Sequence, residues 1–238
     1  MATRMQLGDV AISVLKKDIK NIHLSVNPPM GAVRISAPLR METDAIRLFA
    51  IAKLGWIKRQ QKIMRAQERE APREYLDRES HYLWGKRYLM KVVEKDATPS
   101  VTLRHRQLLL QVRPDTNEER KAAILDDWYR QQIKAVIPGL IAKWAPRLGV
   151  HVQQFYVQRM KTRWGSCNAG AGSIRLNTEL VKKPKECLEY IVVHEMVHLL
   201  EPTHNARFVE LMNRFMPKSR FYRDQLNLLP VRHEMWEY

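Results

Sequence analysis

The chain has 238 residues, 45% of them hydrophobic, which is enough apolar material for one large domain or two small ones. No run of about 18 apolar residues offers a membrane span, and two cysteines, Cys167 and Cys187, are too few for a disulfide framework. The 41 basic and 25 acidic side chains leave a net charge of +16, which favours nucleic acid, nucleotides or acidic protein surfaces as partners, against the plainer reading of a solvated basic surface.

Residues 1–10 lack the apolar core of a signal peptide, so a cytoplasmic protein is expected. Segments 10–14, 22–26 and 32–36 alternate apolar and polar residues around the turn-forming Asn27-Pro28-Pro29-Met30-Gly31, a β-meander pattern. With Thr43 as N-cap, one long helix is predicted to about Gln67. Ile46, Phe49, Ala50, Leu54, Ile57 and Met64 form its apolar stripe; Lys53, Lys58, Arg59, Lys62, Arg65 and Arg69 make the other side basic. After a charged connection at 72–80, strand pairs are predicted at 82–93, around Gly85-Lys86, and at 101–104 with 108–112. Thr116-Asn-Glu-Glu119 reads as a capping box. The helix it opens passes Trp128 and Ile133, kinks or breaks near Pro138-Gly139, and resumes to about Trp144. A strand at 152–157, a Gly-rich loop at 161–172 and a short strand over Ser173–Asn177 follow. Pro184 suits the first turn of the next helix. Helices from His204 to about Phe215 and over Ser219–Leu228 precede the tail Trp236-Glu-Tyr238. No internal repeat is visible. The division is placed between a β-rich region, 1–115, and a helix-rich one, 116–238.

The most informative stretch is Ile191-Val-Val-His-Glu-Met-Val-His-Leu-Leu-Glu-Pro-Thr-His204. On a helix, His194 and His198 lie one turn apart and about 40° around the axis, the spacing that lets two imidazoles share one metal ion. Glu195 sits beside them, placed to take a proton from an activated water. The neighbours Leu188, Ile191, Val192, Val193, Met196, Leu199 and Leu200 make the segment a buried helix, where polar groups need partners. A hydrogen-bonded pair of core histidines is the bland alternative. His204, after the turn at Pro202, is the favoured third ligand; Glu201 and Glu210 are its rivals. Three histidines suit zinc with one position left open, and bound zinc makes water reactive near neutral pH. The chemistry is metal-assisted hydrolysis of a carbonyl or phosphoryl bond. Candidates for stabilising developing charge are Arg163, Arg207, Arg220, Tyr222 and Arg223.

Arg163-Trp-Gly-Ser-Cys167, Ile174-Arg-Leu-Asn177, His194-Glu-x-x-His198 and His204-x-x-x-Phe208 together resemble the YgjP-like metal-dependent hydrolases, close in fold to SprT-type zincin metallopeptidases. The resemblance extends to the first half, through Val33-Arg-Ile-Ser-Ala-Pro38 and Gly55-Trp56-Ile57. It implies an α+β fold: an N-terminal antiparallel β-rich region with one long helix, then a zincin-like helical domain with a small sheet and the HExxH helix. It implies Zn2+ on His194, His198 and His204, with Glu195 as acid/base. It also makes Ser173–Asn177 a strand near the cleft that could pair with an extended peptide. Arg163, Trp164, Ser173, Arg175, Asn177 and Tyr222 are then candidate substrate-binding residues. The first reading is a zinc metallopeptidase. The second is a nucleoside triphosphate (UTP) pyrophosphatase using the same metal site, and the third a nucleic-acid-associated protease or binding protein.

Overall fold

The computed structural model describes residues 2–27, 31–66, 75–160 and 163–228. The expected turn at 28–30, the helix end at Gln67, Arg69 and the tail at 236–238 lie outside them. The chain divides into two compact units, one running from Met1 to Ala71 and one over Pro72–Leu229. The strands expected to belong with the N-terminal region therefore split, and those after Pro72 share a unit with the histidine motif.

In the first unit β1 (Ala2–Leu7), β2 (Val10–Lys17), β3 (His23–Asn27) and β4 (Ala32–Pro38) form a sheet in the order β1-β2-β4-β3. Its outer pairs are antiparallel, as expected, but the central pair β2–β4 is parallel. β1, with the polar Thr3, Arg4 and Gln6, carries too weak an alternation to be legible beforehand. Val10, Ile12 and Val14 of β2 and Val33, Ile35 and Ala37 of β4 are buried, and Ile46, Ala50 and Ile57 close the core over them. The single long helix expected here is two, α1 (Thr43–Ala52) and α2 (Leu54–Ala66). Lys53 leaves helical geometry at φ −100° and ψ 1°; its N–H is shared between the Phe49 and Ala50 carbonyls, at 3.2 Å each. Gly55, a poor helix former, follows closely. Glu42 rather than Thr43 is the N-cap.

In the second unit β5 (Ser80–Leu83), β6 (Lys86–Glu94), β7 (Ser100–Arg104) and β8 (Gln107–Val112) make a sheet of order β5-β6-β8-β7, again with a parallel central pair. A helix, α3 (Glu118–Leu148), follows. The first unit's plan is thus repeated: two hairpins, the last strand set beside the second, then helix. The sequence shows no repeat because only burial is shared, not residue identity. β4 buries Val33, Ile35 and Ala37, and β8 buries Leu108, Leu110 and Val112 at matching alternate positions.

α3 runs unbroken through Pro138 and Pro146, against the expected break. A proline inside a helix costs about 3 kcal/mol. The stripe Leu125, Tyr129, Ile133, Ile137, Trp144 and Leu148 is buried on both sides of Pro138, and each such side chain gains about 1.5–3 kcal/mol on burial. Packing wins. The cap is Asn117, whose side chain accepts from the Arg120 N–H at 2.9 Å.

A second sheet has the order β10-β11-β9, from β9 (Gln154–Gln158), β10 (Gly165–Asn168) and β11 (Ser173–Asn177). β10 occupies part of what reads as a loop. A short 3-10 helix, Thr178–Lys182, leads into α4 (Lys185–Val197), followed by α5 (Ala206–Phe215) and α6 (Ser219–Leu228). α5 starts two residues later than expected, with Asn205 as its cap. α3, α4 and both sheets of this unit share one core, an α+β arrangement. No helix of the described residues is long and apolar enough to cross a membrane.

Two contacts set the position of α4. The half-buried Glu189 carboxylate accepts from Lys143 Nζ at 2.6 Å and from the Trp144 indole N–H at 2.7 Å, tying α4 to α3. The β5–β6 turn donates from Trp84 N–H to Val181 O and from Gly85 N–H to Lys182 O, at 2.8 and 3.2 Å. Gly85 has φ +76°, and a Cβ there would stand 3.1 Å from the Pro184 ring at the start of α4. Glu189→Ala should leave the indole N–H without its partner. Urea unfolding followed by tryptophan fluorescence should show a loss of about 1–3 kcal/mol.

Candidate metal centre and active site

α4 is buried along nearly its whole length: Cys187, Leu188, Tyr190, Ile191, Val192, Val193, Met196 and Val197 are all in the core. The helix ends earlier than Pro202, with His198 as its C-cap. Leu199 and Leu200 close tight turns onto Met196 O and Val197 O. The chain then reverses, and His204, in the loop before α5, returns over the last turn of α4. Its Nε2 lies 3.0 Å from His194 Nε2 and 3.1 Å from His198 Nε2.

These three atoms converge on one point, as an ion would require. Tetrahedral zinc at about 2.0–2.1 Å from each nitrogen places ligand nitrogens about 3.3–3.4 Å apart, within a few tenths of an ångström of the observed spacing. The donors are also in the right state. Burial, and then the neighbouring His198 and His204, push His194 down to about 4, so it is neutral. His204 is pushed down by burial and then by His198. His198 Nδ1 lies 3.0 Å from the Glu201 carbonyl. A carbonyl only accepts, so Nδ1 is the donor here and Nε2 is the nitrogen turned towards the other two histidines. Phe208 packs against all three rings, stacked on His198 at 4.6 Å and edge-on to His194 and His204 at 4.9 and 4.7 Å.

The rivals of His204 are placed elsewhere. The Glu201 carboxylate accepts from Thr203 Oγ1 at 2.9 Å and is not among the converging atoms; its backbone carbonyl is what meets His198. Glu210 is exposed on α5 and does not line the cavity.

Glu195 is 5% exposed. Burial raises its carboxyl to about 8, with Arg163 pulling the other way. Across from it stands Gly165 of β10. A Cβ on Gly165 would lie 2.5 Å from Glu195 Oε1 and 2.8 Å from its Cγ. β10 therefore approaches Glu195 as closely as it does only because residue 165 has no side chain. A cavity of about 650 Å3 opens here, lined by Arg163, Trp164 and β10 on one element and by α4, His204, Arg223 and Leu226 on others.

The sequence-derived substrate residues divide. Arg163 and Trp164 line the cavity. Ser173, Arg175 and Asn177 do not: β11 is the central strand, paired with β10 on one side and β9 on the other, so it cannot add an extended peptide. Ser173 is buried, and Arg175 lies over the Tyr156 ring at 5.5 Å. Asn177 is structural, its amide donating to Met160 O and Arg163 O at 2.8 Å each. Tyr222 packs against the core; it is the next residue, Arg223, that reaches the cavity. Arg207 and Arg220 are exposed and stay away from it. Gly165 was read only as part of the Arg163–Cys167 motif, and Tyr190 and Leu226 were not singled out beforehand. Cys167, also in the wall, is held as a thiol: burial, then Glu195, raises it to about 11.

A family profile for the YgjP-like metallopeptidase domain matches residues 20–228. The chain belongs to the YgjP-like family. Membership supports a metal-dependent hydrolase of the metallopeptidase kind and implies a divalent metal. Among solved structures, the zymogen of abylysin from Pyrococcus abyssi is 19% identical, with a TM-score of 0.36 over 40% of this chain and 99% of that one. The zymogen of jannalysin from Methanocaldococcus jannaschii is also 19% identical, with a TM-score of 0.34 over 38% of this chain and 92% of that one. No curated protein matches the sequence.

Gly165→Ala tests the close approach of β10 to Glu195. The metal content should stay unchanged while kcat falls by about tenfold to a hundredfold, as expected for a displaced reacting group. Steady-state kinetics with metal analysis reads both.

Proposed function

We propose that this chain is a zinc-dependent peptidase in which His194, His198 and His204 hold the ion and Glu195 moves the proton. The observation that carries the reading is the convergence of three imidazole nitrogens beside one buried carboxyl, in an open cavity. When bound, zinc supplies Lewis acidity, making a water nucleophilic near neutral pH and polarising a substrate carbonyl.

The chain's own groups do the rest. Glu195 in its ionised form takes a proton from the attacking water; burial, which raises its carboxyl to about 8, makes that carboxylate a stronger base than an exposed one. The water oxygen bonds to the amide carbon, and the proton passes to the leaving nitrogen as the C–N bond breaks. Gly165 keeps the space in which this carboxyl sits. β10 pairs with β11 along one edge only, and its other edge is free among the described residues. An extended substrate can add there by main-chain hydrogen bonds, whatever its sequence. That role, assigned from sequence to β11, passes to β10.

Glu195→Gln should retain zinc and lower peptide cleavage by at least about a thousandfold, within the range that general acid–base groups supply. Absence of cleavage by the zinc-loaded wild type across broad peptide libraries would overturn the reading. Phosphate release from nucleoside triphosphates that depends on Glu195 would replace it with the nucleotide alternative. His204→Ala should weaken zinc more than about a hundredfold, beyond the loss typical for an outer-shell partner, as read by competition with a chromophoric chelator.

A further inference from the structure

The cavity over the histidines has an uneven charge. Among the described residues its lining holds two guanidinium groups, Arg163 and Arg223, and a single carboxyl, Glu195, which the peptidase reading commits to the proton. The two arginines come from different elements. Arg163 precedes β10, and Arg223 stands on α6, three residues before Leu226, which also lines the cavity.

Neither cation is neutralised by a buried carboxylate among the described residues. No carboxylate among the described residues pairs with Arg163. Arg223 Nε is 3.4 Å from the carboxylate of its neighbour Asp224, with both side chains more than half exposed (59% and 63%). An exposed pair of that kind contributes little and leaves the other face of the guanidinium open. Both arginines face the cavity that also holds the three histidines. A guanidinium presents a planar fork of donors that matches a carboxylate, and a partly enclosed cleft strengthens the pairing by limiting water.

We propose that Arg163 and Arg223 select the substrate: the cleft takes peptides with an aspartate or glutamate side chain within two residues of the scissile bond. This rests on the peptidase reading and adds to it the class of peptide cleaved. The extended peptide on the free edge of β10 supplies main-chain pairing that is blind to sequence, so side-chain choice falls to the cations in the lining. A lysine at the same position meets two like charges and is disfavoured.

The test uses a set of peptides differing at one position near the cleavage site: Glu, its neutral isostere Gln, and Lys. Wild-type kcat/KM should be at least about tenfold higher for Glu than for Gln, as for a hydrogen bond to a charged group, with most of the difference in KM and a smaller ratio at high salt. Arg163→Gln and Arg223→Gln should each shrink the Glu:Gln ratio, and the double variant should bring it near one. Arg223→Glu should shift preference towards the Lys peptide. Binding of the same labelled peptides to zinc-loaded Glu195→Gln, followed by anisotropy, gives a readout independent of turnover. Cleavage without a Glu preference, or a preference that survives in the double variant, overturns the proposal while leaving the peptidase reading in place. Preferential binding of the Glu peptide without cleavage by wild type supports the recognition and removes the peptidase reading. Stronger binding of nucleoside triphosphates than of the Glu peptide, lost in the double variant, assigns the arginines to phosphate and overturns the proposal.

Discussion

The structure depends on burying a helix that must also carry reactive groups. α4 is enclosed by core side chains along its length, yet its last turn holds two imidazoles and a carboxyl. Isolated, such groups would be a heavy desolvation penalty. They are tolerated because they are gathered at one end, opened to a cavity, and completed by His204 from outside the helix. Phe208 then packs its ring against all three histidines, so the site is backed by an apolar surface that excludes water on one side only.

Around this centre the scaffold supplies stiffness. α3 is long because its apolar stripe outweighs two prolines, and it must be long to reach Glu189 at its far end while packing against β7 and β8 near its start. The β5–β6 turn holds the 3-10 helix ahead of α4 by two backbone hydrogen bonds. The plan of two hairpins and a helix occurs twice in the chain, but only the second copy is joined to the histidine motif through a shared core. The first closes its own core with α1 and α2.

What could be read from the sequence follows the range of each signal. His194, Glu195 and His198 were legible because their relation is local, one helical turn. His204 was legible as the third member of the histidine cluster, although its helix was placed two residues early; the capping role of Asn205 decided that boundary. The strand over Ser173–Asn177 was found, but its central place in the sheet depends on β10, whose Gly-Ser-Cys-Asn composition carries no strand signal. Substrate roles for Ser173, Arg175 and Asn177 fell with it. Tyr222 and Arg223 differ by one step of about 100° around a helix, enough to put one in the core and the other in the cleft. The fit of Gly165 against Glu195 joins residues thirty positions apart in the sequence and has no local signature. The unbroken passage of α3 through Pro138 was set by packing rather than propensity.

The order in which the site's parts occur along the chain has a consequence for synthesis. β10 and α4 emerge from the ribosome before the turn that carries His204, and the wall holding Arg223 and Leu226 comes later still. A nascent chain that has made the His194–His198 pair has neither the complete histidine cluster nor the full cavity wall. The histidine cluster and its cavity are therefore completed late, after the sheets and most of the helices around them have been made, and a chain cut short before α6 lacks one side of the cavity.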